Sequence, residues 1–137
     1  MNRKQARENA FLLLFEGVAR SEDAPIEIYE TATVERELET DDYVKTVFFG
    51  VAEHLAEIEA AIEPALVGWK ARRLSYAARA ILRLATYEIL YMPDIPALVS
   101  INEAVELAKR YDDDKSYSFI NGVMNAVAEA SGKKHAK

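Results

Sequence analysis

Apolar residues recur along this chain at spacings of three and four, and nowhere alternate with period 2 for long enough to build a strand, so the pattern predicts an all-α protein. The first helix starts after Asn2, which is placed to cap it with Gln5 answering in a capping box, and runs to about Ala19. One face of that helix carries Ala6, Ala10, Leu13, Leu14 and Gly17, while Lys4, Arg7, Phe11 and Phe15 lie together on its flank. Pro25 suits the first turn of a second helix reaching about Glu37. Thr40, Asp41 and Asp42 then precede a long third helix, with Val44, Val47, Phe48, Val51, Leu55, Ile58 and Ile62 as its stripe until Pro64 disturbs it.

A short helical turn after Gly68 and Trp69 is expected to end near Leu74, with Ser75 capping the next helix over Tyr76 to Tyr91. Pro93 and Pro96 stop that helix. Ser100 and Glu103 read as a capping box for a helix ending near Tyr111. Asp112, Asp113 and Asp114 favour the amino end of a last helix whose stripe is Phe119, Ile120, Val123, Met124 and Val127. Gly132 and the lysines after it read as a frayed end. No repeat or linker divides the chain, which predicts one domain over 1–137, with an N-terminal half at 1–67, a C-terminal half at 68–132 and a basic tail at 133–137.

Composition narrows the function. At 137 residues the chain can bury a core without metal or disulfide support, and with no cysteine it has neither disulfides nor thiolate metal sites, which suits the cytoplasm. Its longest apolar run, Ala10 to Phe15, is far too short for a membrane span and follows no signal-peptide plan. The net charge of -6 hides a division. Residues 22–63 hold 13 acids against Arg36 and Lys45, whereas the remainder holds 15 bases against 10 acids. The bases cluster as Arg3, Lys4 and Arg7, as Lys70, Arg72, Arg73, Arg79 and Arg83, and as Lys133, Lys134 and Lys137. Such a split steers an anionic ligand to one face, although solvated helix faces would read the same way.

Catalytic and metal chemistry find little to use. His54 and His135 are the two imidazoles, and His54 between Glu53 and Glu57 reads as a surface residue among carboxylates rather than a ligand. The aspartates at 112–114 lack the glycine turn of a calcium loop, and no glycine-rich phosphate loop occurs. The expectation is a binding protein with no catalytic residues and no cofactor.

The run Ala6-Arg7-Glu8, Gly50-Val51, Trp69-Lys70, the stretch RAILRLA from Arg79 to Ala85, Tyr87-Glu88, Ile95-Pro96, the stretch INEAVELAK from Ile101 to Lys109, and Phe119-Ile120-Asn121-Gly122-Val123, in this order, resemble the NusB family of transcription antitermination factors over nearly the whole chain. The resemblance implies two packed three-helix units and a protein that binds boxA RNA of ribosomal RNA leaders. It implies that this is done with NusE, a small-subunit ribosomal protein, so that RNA polymerase resists premature termination. Carried onto this sequence, it nominates Arg3, Lys4 and Arg7 as phosphate contacts, with Lys115 near Phe119 and the Phe119 ring as a stacking surface for a base. Cations under the backbone and aromatic faces under the bases are what unpaired RNA requires. Phe119 shares a stripe with Ile120 and Val123, so a place in the core remains its other reading. Gln5 interrupts the amino-terminal cations, Ser118 stands where relatives often carry lysine, and Ala78 where they carry an acid. Asn102 and Asn121 are expected to lock the last two helices, and Trp69 and Arg79 to serve packing and ion pairing. The alternative function is a structural helical module that dimerises over its basic face.

Overall fold

A computed structural model describes residues 1–69 and 74–133, which form helices and no strands among the described residues. The helices are α1 (Arg3–Ala19), α2 (Pro25–Glu30), α3 (Asp42–Glu53), α4 (Leu55–Ala65), α5 (Tyr76–Tyr91), α6 (Ala97–Tyr111) and α7 (Ser116–Ser131). Local chemistry sets most of the boundaries. Asn2 accepts from the Gln5 backbone N–H at 2.8 Å while the Gln5 side chain takes the Asn2 N–H, so the capping box closes. Asp41 caps α3 through Val44 N–H and Ser75 caps α5 through Ala78 N–H, both at 2.9 Å. Gly132 ends α7 at φ 78°, a left-handed turn in which glycine meets no Cβ penalty.

Three expectations need correction. The third helix is two, because His54 leaves helical geometry at φ -109° and ψ 24° and its ring stacks on Tyr91 at 4.3 Å. The break lets α3 pack on α1 and α5 while α4 turns onto α5 and α7. The second helix loosens into a single π-turn, Thr31–Glu35, and stops before Glu37, whose φ of 58° no helix accommodates. Ser100 caps nothing: Pro96 begins α6 a turn earlier, and the Ser100 hydroxyl points inward to Glu88. The helical turn expected after Gly68 is a 3₁₀ turn, Val67–Trp69, and the rest of it lies outside the described residues.

The helices pack around α5, which touches α1, α3, α4, α6 and α7. Its sequence shows why. Ala77, Ala78, Ala80, Ile81, Leu82, Leu84, Ala85 and Ile89 are all buried, so α5 is apolar nearly all round, as a central helix must be. Two glycines allow close packing, one onto this centre and one onto the Trp69 ring. A Cβ at Gly50 would stand 2.5 Å from the Tyr87 ring, and one at Gly122 would stand 2.9 Å from Trp69. Arg83 ties α5 to α4 by donating twice to Glu59, at 2.8 and 3.0 Å.

Candidate nucleic-acid interface

The amino end of α1 is organised by a carboxylate that periodicity alone hides. Glu88 lies on α5 with 0% exposure, and three helices send donors to it. Arg7 of α1 donates through Nε to Oε2 at 2.8 Å, Tyr43 of α3 donates its hydroxyl to the same oxygen, and Ser100 of α6 donates to Oε1 at 2.7 Å. Every buried side-chain polar atom among the described residues has a partner, as a group taken out of water must. Burial works against the Arg7 cation, but the Glu88 carboxylate, with help from Tyr43 and Glu103, outweighs it and holds the guanidinium above its ordinary pKa.

Tyr43 gives the hub a pH limit. Burial first, and then the Glu88 carboxylate, push its phenol well above the ordinary 10.0, while Arg7 pulls the other way. Tyr87 and Tyr111 are shifted in the same direction, again mainly by burial. An acid whose folded pKa is raised keeps its full contribution to stability below its unfolded pKa and loses it as pH rises towards the folded value. The melting temperature is therefore expected to fall between about pH 9 and about pH 11, with Tyr43→Phe flattening that fall. Thermal melts across the range check it, and an unchanged slope in the variant would contradict the role given to Tyr43.

Around the hub lie the exposed cations. Arg3 and Lys4 occupy the first turn of α1; the Arg3 guanidinium carbon sits 4.5 Å from the Tyr43 ring centre, and Lys4 Nζ lies 3.4 Å from Glu103. Between α1 and α6 runs a groove of about 220 Å³ lined by Lys4, Arg7, Glu8, Glu103, Lys109 and Arg110 among others. Arg110 pairs with Glu8 at 3.1 Å, and Lys109 reaches over the Tyr117 ring at 5.2 Å, carrying the cationic line from α6 to the start of α7. Tyr117 is 43% exposed.

The nominated residues thus fall into two patches. Arg3, Lys4 and Arg7 converge at the hub, whereas exposed Lys115 lines a hollow at the start of α7 with Trp69, Asp113, Asp114, Ser118 and Phe119. Two of the five are interior. Arg7 is 4% exposed and its charge answers Glu88. Phe119 is 1% exposed and meets Trp69 edge-on at 5.0 Å. Asn102 and Asn121 are exposed, and Asn121 accepts from Asn125 one turn along the same helix; α6 and α7 are instead joined by their buried stripes. Lys133 is not frayed: it donates to the carbonyls of Glu88 at 3.2 Å and Met92 at 3.1 Å, closing the carboxyl end of α5. Burial lowers its pKa. Lys70, Arg72, Arg73, Lys134, His135 and Lys137 lie outside the described residues.

Sequence reasoning missed Glu88, Tyr43 and Tyr117. Glu88 carried a signal, being a lone acid on a helix otherwise apolar nearly all round.

An all-helical chain with an acidic segment over α2 to α4, and with cations and carboxylates ranged along a groove beside a buried Arg–Glu pair, has the outline of a binding protein rather than of a catalyst. The NusB family profile matches residues 4–129, so the chain belongs to the NusB family. It is 45% identical to the transcription antitermination protein NusB of Bacillus velezensis, with 93% of this chain and 95% of that protein covered. Against the Bacillus subtilis protein of the same name it is 44% identical with the same coverage. Among solved structures, Thermotoga maritima NusB matches with a TM-score of 0.81 at 35% identity over 100% of this chain and 94% of that one. A crystal structure of antitermination factors NusB and NusE in complex with double-stranded RNA contains a chain that matches with a TM-score of 0.81 at 31% identity, over 93% of this chain and 96% of that one. No described helix is long and apolar enough to cross a membrane.

Proposed function

We propose that this chain is a transcription antitermination factor that binds boxA-type RNA of ribosomal RNA leaders together with NusE and helps RNA polymerase resist premature termination. The observation that carries the reading is the likeness to a NusB solved together with NusE and RNA, which extends over nearly the full length of both chains. The protein acts by binding, without catalysis, in the cytoplasm. Arg3, Lys4 and Lys115 supply the phosphate contacts, and Tyr117 offers the exposed ring that Phe119 does not. Arg7 and Phe119 serve the same surface from inside, one anchoring α1 and the other the start of α7. A dimerising module with an occluded basic face has no comparable support, since the relatives described above are antitermination proteins.

The test is a titration of a boxA-like strand and a scrambled strand of equal length. Preference for the first is expected, together with a shallower dependence of log K on log salt, by about 0.7, for Lys4→Ala or Lys115→Ala. Equal binding of the two strands would overturn the reading.

A further inference from the structure

Arg3 and Lys4 stand where a helix least favours them. The first turn of α1 holds no acid, and its exposed N–H groups already present positive charge, so cations there cost stability unless something offsets them. Lys4 has Glu103 at 3.4 Å. Arg3 makes no ion pair among the described residues; its guanidinium lies over the Tyr43 ring at 4.5 Å. That difference has a chemical consequence. A guanidinium held over an aromatic ring spends none of its hydrogen-bond donors on that contact, so its planar fork stays available to grip a phosphate with two hydrogen bonds.

The ring beneath it is itself fixed. Tyr43 is 6% exposed and its hydroxyl is held by Glu88, which Arg7 and Ser100 hold in turn. We propose that Tyr43 is a positioning residue for RNA binding, a rigid aromatic platform that holds Arg3 ready for a phosphate of the bound strand. The platform spares Arg3 the ordering that a free terminal side chain undergoes on binding. The inference rests on the reading of the amino end as an RNA-binding surface, and deepens it by naming what orients the cation.

The experiment is a salt-series titration of a boxA-like strand with the full chain as wild type, Arg3→Ala, Tyr43→Phe, Tyr43→Leu and the Arg3→Ala/Tyr43→Leu double variant. Tyr43→Phe keeps the ring and is expected to keep the wild-type slope of log K against log salt. Arg3→Ala and Tyr43→Leu are each expected to reduce that slope by about 0.7, one single-strand counterion, and the double variant no further. A wild-type slope in Tyr43→Leu beside a reduced one in Arg3→Ala would leave the RNA-binding reading standing and overturn the platform. A wild type with no preference for the boxA-like strand would overturn both. Should Tyr43→Leu fail to fold, the free wild type and Tyr43→Phe decide: upfield ring-current shifts of the Arg3 δ protons are expected in both, and their absence overturns the proposal.

Discussion

Replacing Glu88 by Ala is expected to destabilise the protein by about 3 to 5 kcal/mol, because it removes the main counter-charge of a cation buried inside the fold. Arg7 is buried among four helices with its Nε 2.8 Å from Glu88, and Glu103 reaches it at only 3.6 Å. The substitution also removes the acceptor from the hydroxyls of Tyr43 and Ser100. Domains of this size carry roughly 5 to 15 kcal/mol of net stability, so the loss is a large share of the whole. The expected sign of the double variant Arg7→Met/Glu88→Leu is the sharper check. Removing both charges for apolar side chains of similar volume should recover much of the loss, since the pair offsets its own desolvation without adding greatly to it. Denaturant melts of the three proteins decide the matter. A Glu88→Ala variant as stable as wild type would mean that the hub does not hold the helices together.

Phe119→Ala is expected to cost about 3 to 5 kcal/mol of folding stability, the range for truncating a buried aromatic ring. The ring is 1% exposed and supports Trp69 edge-on at 5.0 Å, and Trp69 in turn fills the space above Gly122 that a Cβ would occupy. Removing Phe119 therefore loosens a small stack that holds the Val67–Trp69 turn against α7. Binding of boxA-like RNA well below the lowered melting temperature should persist at near wild-type affinity. A variant that melts like wild type yet binds RNA more weakly by roughly 1 to 3 kcal/mol would instead make the ring a base-stacking surface.

These residues also show what a sequence can disclose. The caps at Asn2, Asp41 and Ser75 were legible because each is a contact between residues three apart, and the stripes of α5 and α7 because burial writes itself into spacing. The break at His54 was not. The apolar spacing from Val44 to Ile62 runs through it undisturbed, no glycine or proline marks it, and its ring partner, Tyr91, lies on another helix. Ser100 misled because its local pattern with Glu103 is a genuine capping sequence, while a hydroxyl bond to Glu88 on the neighbouring helix decided its place.

The site divided along the same line. That cations gather at the amino end was visible, but which of them face solvent was not, because Arg7 is taken by a carboxylate 81 residues away. Phe119 could be given two roles on its spacing alone, and its burial against Trp69 was not visible there. The resemblance to the NusB family brought the partners within view, whereas the hub beneath the basic end emerged only from the packing of α1, α3, α5 and α6 around Glu88.

The central claim is that this chain presents a basic RNA surface that works with NusE, and it is tested most directly by measuring affinity for a boxA-like strand with and without NusE at one fixed salt concentration. Two exposed cations at the amino end and one at the start of α7 are expected to supply modest binding alone, and NusE to tighten binding well beyond that of either protein while a scrambled strand gains little. The same affinity with and without NusE, or an equal gain for the scrambled strand, would contradict it.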